Sequence, residues 1–326
     1  MPERPELRSP PRASTDILLI STDGAAMLRH SLPAAIAQPG AQVTVIDNGC
    51  RDETSQLAAD AGARLLPLCR RLSWCAANNA AIAATKAPEV LLLNADCFLA
   101  PDFLARARPA LGAPGIGSVA PKLLRAAGPG RPLAQIDTAG MALDRRRKNS
   151  LVGHGEPSRG YDQPGPCFGA DGAAALYRRE LLVDCAVDGP PFDEAFEKYA
   201  ADVDLAWRAQ LLGWRCAYEP RAVAHHVRTY GPSTRAQVSE QARRMQFRNR
   251  YLMMVKNETG AGLARDLAWI TSYEVLALGH VLLRERHLLG GYVDAARRLA
   301  RARRGRARVQ ARRRVAIPPF GLRPSQ

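Results

Sequence analysis

The chain has 326 residues, 47% of them hydrophobic and 24% charged, the balance of an ordinary soluble globular protein long enough to bury a substantial core. Its seven cysteines are odd in number, scattered through apolar runs and never spaced C-x-x-C, which argues against a disulfide frame and a zinc site. The net charge of +15 is unevenly placed: residues 1–230 carry 26 Lys and Arg against 25 Asp and Glu, and residues 231–326 carry 20 against 6.

Residues 1–15 are rich in proline and charge and lack an apolar stretch, so they read as a disordered lead and not as a signal peptide. Apolar runs at 16–21, 42–47 and 89–94 are continuous, as expected of strands covered on both faces. Helical stretches are expected between them at 24–38, 52–61 and 75–85, the second with Asp52 as N-cap and Gly62 past its end. This alternation predicts an α/β fold with a mostly parallel sheet over the first 110 residues. Ligands of such sheets sit beyond the carboxyl ends of the strands, which singles out Ser21, Asp47, Asn48, Asn94 and Asp96. Residues 111–200 are rich in Gly and Pro, with a short strand-like run at 172–177. A helix is expected from Asp202 to Gly213, then apolar stretches at 214–218 and 222–227, and helices from about 235 onward. The run 261–283 is interrupted by Arg265, Asp266, Glu274 and His280, too broken for a membrane span and suited to a surface-lying or core helix.

Asp47-Asn48-Gly49 ends a strand with an acid, an amide and a glycine; the acid could take hydrogen bonds from a ribose or base, or simply close an Asx turn. Asn94-Ala95-Asp96 delivers a carboxylate to the end of an apolar strand, and a metal-bound nucleoside diphosphate needs only one or two protein carboxylates. Asn78 and Asn79 lie near a helix start, where either could equally be a surface or capping amide. Asp202 and Asp204 open a helix two residues apart, so only one of them can point into a given cleft.

In order, these motifs, with Phe168-Gly-Ala-Asp171-Gly, Phe192-Asp-Glu-Ala-Phe, Ala201-Asp-Val-Asp-Leu-Ala-Trp-Arg208, Gly213-Trp-Arg, Pro220…His226 and Arg248-Asn-Arg-Tyr251, resemble family-2 glycosyltransferases of the GT-A fold. The order is similar to the rhamnosyltransferase-like branch and covers about residues 16–257. The resemblance implies a GT-A domain at 16–230, with a nucleotide half to about 110 and an acceptor half from 111, followed by a helical, strongly basic region at 231–326. It further implies that Asp47 holds the nucleoside and that Asn94 and Asp96 occupy the D-x-D position, with Asp96 a ligand to Mg²⁺ or Mn²⁺. His226 matches the late metal-binding histidine; His225 points the other way in a regular strand. Ser21, Asn48 and Asn79 complete the expected donor-binding set. Asp202 matches the general base, and a helix N-terminus helps keep that carboxylate ionised. Asp171 falls on the acceptor side or else stabilises its own Gly-Ala-Asp-Gly turn through an Asx bond, and Asp204 falls there too, although it also stands four residues before Arg208, the spacing of a helical ion pair. The family's Glu before the base is Ala201 here.

Twelve arginines and two acids occupy residues 284–314. A solvated face and nucleic-acid binding are weaker readings of this segment, since acids are scarce and Phe320 is the sole aromatic after Tyr292. An anionic membrane surface fits better, given the interleaved Leu288, Leu289, Tyr292, Val293 and Leu299. The expectation is an inverting, metal-dependent transferase at the cytoplasmic face of the cell membrane. It would move a sugar, rhamnose among the candidates, from a nucleoside-diphosphate donor to a lipid-linked or polysaccharide acceptor in cell-envelope glycan synthesis. A sugar nucleotidyltransferase would want a glycine-rich, lysine-bearing phosphate loop, which is not seen. A non-catalytic nucleotide-sugar or nucleic-acid binding protein is the rival raised by Ala201 and the basic tail.

Overall fold

The computed structural model describes residues 14–228 and 237–324. Most of the expected N-terminal lead, residues 1–13, lies outside the described residues, and Thr15 at its end already opens the first strand.

The strands are β1 (Thr15–Ser21), β2 (Ala41–Asp47), β3 (Arg64–Pro67), β4 (Glu89–Asn94), β5 (Cys97–Leu99), β6 (Ile116–Ala126), β7 (Pro132–Thr138), β8 (Met141–Leu143), β9 (Asn149–Leu151), β10 (Gly165–Cys167), β11 (Ala174–Arg178) and β12 (Arg215–His226). The helices are α1 (Ala25–Ile36), α2 (Thr54–Asp60), α3 (Trp74–Ala84), α4 (Phe103–Leu111), α5 (Arg179–Cys185), α6 (Ala201–Leu211), α7 (Glu240–Asn257), α8 (Gly260–Leu283) and α9 (Leu289–Arg312). One sheet runs in the order β10-β12-β6-β11-β4-β1-β2-β3, with β5 added to β12 and β7 to β6, while β8 and β9 form a separate hairpin.

From β3 to β4 the sheet is parallel, as the alternating strands and helices require. Beyond β4 it is mixed: β11 lies antiparallel to both β4 and β6. The continuous apolar strands feed two cores. In β4, Val90 and Leu92 face α3, α5 and α6, whereas Leu91 and Leu93 face α1 and α4. Residues 214–227, expected as two stretches, form a single strand with an irregularity between Glu219 and Val223.

The C-terminal region is helical, as expected, and packs onto the domain before it. Helix α7 inserts Lys256 and Asn257 against the start of α6, and its Arg248, Asn249, Lys256 and Asn257 are all buried. Several of the arginines expected to form a free cationic surface are instead paired, half-exposed, with acids of the preceding domain, while others such as Arg303 and Arg304 stay exposed. Arg298 pairs with Glu197, Arg301 with Asp193, Arg308 with Asp188, and both Arg312 and Arg314 with Asp184. Sequence reading missed this because every partner lies more than a hundred residues upstream.

Candidate active site

The carboxyl ends of β1, β2 and β4 open onto two adjoining cavities that share Trp74 and Lys198 in their walls. The first, about 300 Å³, is bounded by Thr22, Asn48, Arg71 and Met245 besides the shared pair. The second, about 340 Å³, is lined by Asn94, His154, Asp171, Asp202 and Arg228.

Asp96 and His226 are brought together by strand register. The antiparallel ladder pairs Cys97 with His226, so the residue before Cys97 falls beside the imidazole. Asp96 Oδ1 lies 3.3 Å from His226 Nε2. The same Oδ1 is buried and makes no hydrogen bond. His226 Nδ1 is held at 2.8 Å by Asp137 Oδ2 at the end of β7. Burial alone would lower the His226 pKa, but the bond to Asp137 and the nearby Asp96 carboxylate outweigh it and push it up to about 9. A carboxylate oxygen and an imidazole nitrogen at this separation fit two neighbouring ligands of a divalent cation, which lie about 3 Å apart when each bond is about 2.1 Å. Asp137 is then the outer carboxylate that fixes ring orientation and tautomer. His225, one residue back on β12, has no contact with this group and faces the other side of the strand.

A second, independent trio, Asp23, Cys50 and Asp52, brings its ligand atoms within 4.8 Å of one another in the loops after β1 and β2. Its carboxylate oxygens are already engaged by the N–H groups of Arg51, Ala25 and Thr54 and by the Arg71 side chain. The Asp96–His226 pair keeps an oxygen open and is the better fit.

Arg228 ties the two halves of the site together. Its Nε donates to both oxygens of Asp137, at 2.8 and 3.1 Å, and its Nη2 to Asp171 Oδ2 at 2.9 Å. Beyond Asp171 lies Asp202, whose Oδ2 accepts from Gly172 N at 3.2 Å and Oδ1 from Val203 N at 2.9 Å. Burial first, and the Asp171 charge second, raise the Asp202 pKa to about 6. Gly172 has to be glycine: a Cβ there would meet the Trp74 ring at 2.8 Å. The loop leading into α6 is strained, with Glu197 and Ala200 at φ of 64° and 59°. Asn249 holds it from α7, donating through Nδ2 to the carbonyls of Phe196 and Tyr199 at 2.7 Å each.

The remaining expected residues divide. Asn94 and Asp171 line the second cavity and Asn48 the first. Asp47 closes an Asx turn, Oδ1 accepting from Cys50 N at 2.8 Å and Oδ2 from Ser55. Ser21 lines neither cavity: fully buried, its hydroxyl meets Thr54 Oγ1 at 2.9 Å beneath the strand end. Asn79 is likewise not at the donor side, because its amide clasps the backbone of Phe192, accepting from N at 3.0 Å and donating to O at 2.8 Å. Asp204 is not on the acceptor side. It is fully buried, salt-bridged to Arg208 and to Lys256 at 2.7 Å, and bonded to Asn257, because residues two apart on α6 point to different sides. Sequence reading missed Asp137, His154 and Arg228. Only Arg228 left a signal, standing two residues beyond His226 and so on its side of an extended chain.

Residues 16–185 match the family described as Glycosyl transferase family 2, a stretch that covers more than half of the chain and includes the Asn94–Asp96 turn. The chain belongs to glycosyltransferase family 2. Solved glycosyltransferases share the fold at low identity. Staphylococcus aureus TarS residues 1–349 with UDP-GlcNAc superimposes with a TM-score of 0.59 at 15% identity, covering 92% of this chain and 83% of that one. The Pyrobaculum calidifontis mannosyltransferase PcManGT with GDP-Man and Mn²⁺ gives 0.53 at 16%, covering 92% and 86%. GalNAc-T7 with UDP, GalNAc and Mn²⁺ gives 0.59 at 13%, covering 76% of this chain and 48% of that one, so this glycosyltransferase spans about half the length of that relative. No protein of curated function matches the sequence. Among the described residues no helix is long and apolar enough to cross a membrane.

Proposed function

We propose that this glycosyltransferase is an inverting, metal-dependent enzyme whose first cavity takes a nucleoside-diphosphate sugar and whose second admits the acceptor hydroxyl. Asp96 and His226 would hold Mg²⁺ or Mn²⁺, which when bound neutralises charge on the departing diphosphate. Asn48 lines the donor cavity, Asn94 stands in the wall of the acceptor cavity beside it, and Asp47 supports the turn beneath Asn48. Asp202 takes the proton from the attacking hydroxyl as that oxygen bonds the anomeric carbon from the side opposite the leaving group, which inverts the configuration. Asp171 and Arg228 set the field around that base.

The observation that carries this reading is Asp202: a carboxyl held at about 6 on the wall of a cavity that also contains Asn94, with Asp137 and Arg228 joining it to the Asp96–His226 pair. A base with a pKa near the working pH is ionised yet still basic enough to accept a proton. Ala201 is buried among apolar side chains, so Asp202 acts without the neighbouring Glu of its relatives. The neighbours solved with UDP, UDP-GlcNAc or GDP-Man, two of them with Mn²⁺, support a nucleotide-sugar donor and a divalent metal. We take rhamnose as the first sugar to test, on the order of the sequence motifs. We take the acceptor as a lipid-linked or polysaccharide glycan of the cell envelope, met at the cytoplasmic face of an anionic membrane.

The test is thermal stability with UDP-, GDP- and dTDP-sugars in Mn²⁺, Mg²⁺ or EDTA. A ligand at a hundredfold excess over its dissociation constant adds about 2.7 kcal/mol to the folded state. One nucleotide should raise the melting temperature in a metal-dependent way that Asp96→Ala weakens. No shift with any nucleotide would refute the reading.

A further inference from the structure

The outer side of α8 is an apolar surface without a partner among the described residues. Only Gly262, Asp266, Ile270 and Val281 of this helix are buried, whereas Val275, Leu276 and Leu283 are 65%, 72% and 80% exposed, with Leu267, Trp269 and Leu282 also outward. Leu289 and Val293 at the start of α9 are exposed as well. A soluble monomer rarely displays so continuous an apolar face, and one of this kind marks an interaction site.

Charge selects the occupant. Every carboxylate between residues 260 and 294 is held by an arginine: Asp266 by Arg145, Arg147 and Arg265, Glu274 by Arg250, Glu285 by Arg243, and Asp294 by Arg244. The charges left outward beside the apolar face are cationic, from Arg284 and Arg286. Arg145 and Arg146 lie over the rings of Trp269 and Tyr273, 5.6 and 5.7 Å from their centres. A second copy packed on this face would bring the Arg284 and Arg286 charges of both copies to one interface, with every carboxylate of this segment already held by an arginine. An apolar face rimmed by cations and an exposed tryptophan fits the headgroup level of an anionic bilayer.

Resting on the proposal that the enzyme meets its acceptor at a membrane, we infer that α8 is the element that inserts, lying in the plane of the lipid surface with its apolar face down. The position has a use. Residues 145–147, which grip α8, form the turn of the β8–β9 hairpin, and the same hairpin contributes Met141, Asn149 and Leu151 to the wall of the second cavity. A membrane-bound α8 therefore sets that cavity beside the surface from which a lipid-linked acceptor would emerge.

The test is flotation of the full chain with vesicles of phosphatidylcholine and phosphatidylglycerol at three to one, compared with Leu276→Asp/Leu283→Asp and Arg303→Glu/Arg304→Glu. Both leucines are exposed, and an unchanged melting temperature verifies the fold. The wild type should float, and the leucine variant should lose at least tenfold in bound fraction against a smaller loss for the arginine variant. If the leucine variant floats like wild type while the arginine variant does not, the membrane reading stands and the assignment to α8 falls. Failure of the wild type to float overturns both. A wild-type dimer that the leucine substitutions convert to monomer, with vesicle binding unchanged, shows that a second copy covers the face and also overturns the assignment.

Discussion

Asp202→Asn separates a base from a merely structural acid, because it should abolish turnover while stabilising the protein. With its carboxyl held at about 6 against 3.8 for an ordinary aspartate, the ionised form is disfavoured in the fold. At about 1.4 kcal/mol for each tenfold change in ionisation equilibrium, this amounts to about 3 kcal/mol at pH 8. The sign follows from linkage: the folded state binds a proton that the unfolded chain has released, so stability falls as pH rises from about 4 through about 6. Asparagine removes that penalty but can accept only one of the two backbone N–H bonds, from Gly172 and Val203, that the carboxylate takes, a loss of about 1 kcal/mol. The net expectation is a gain of about 2 kcal/mol at pH 8 that disappears near pH 4, measured by urea unfolding in EDTA without nucleotide. Turnover by the wild type should fall as pH drops through about 6, where the base becomes protonated. A variant that is less stable at pH 8, or that retains turnover, would refute the reasoning.

Other substitutions probe the supporting shell. Asp137→Asn should weaken metal binding by about ten- to a hundredfold, since it frees the ring of His226, and titration calorimetry with Mn²⁺ would detect this apart from activity. Arg228→Gln leaves Asp137 and Asp171 without their shared cation. It should cost about 3 kcal/mol of stability and move the acid limb of the activity profile above pH 6, because the Arg228 charge lowers the Asp202 pKa. Lys256→Met removes one of the two cations buried against Asp204 and should destabilise by about 3 kcal/mol in chemical denaturation, with the metal affinity of the folded enzyme unchanged.

The nucleotide half was readable because its signals are local. The apolar run ending at Asn94-Ala95-Asp96 declares a central strand with an acid at its carboxyl end, and the strand does end at Asn94 with Asp96 in the turn beyond. Helix positions followed from the alternation with strands, but the expected cap Asp52 stands one residue early: Glu53 is the N-cap of α2, and Asp52 accepts from Thr54 N in the turn before it. Ser21 and Asn79 misled because a polar residue near a strand end looks the same in sequence whether it faces a ligand or clasps a neighbouring loop. The short exposed strand β3 gave no periodic signal strong enough to be read.

The sequence by itself determined the α/β class, the apolar strands with polar residues at their carboxyl ends, and that Asp202 and Asp204 point to different sides of their helix, though not which of the two is buried. Tertiary structure alone decided what surrounds them. Asp137 on β7 reaches His226 on β12 across β6, 89 residues along the chain, and Arg228 joins Asp137 to Asp171. The tail arginines meet acids more than a hundred residues upstream. Helical and strand periodicity is written in neighbouring residues, but pairing register and desolvation depend on residues far apart in the chain, and those set the charge state of Asp202 and the open oxygen of Asp96.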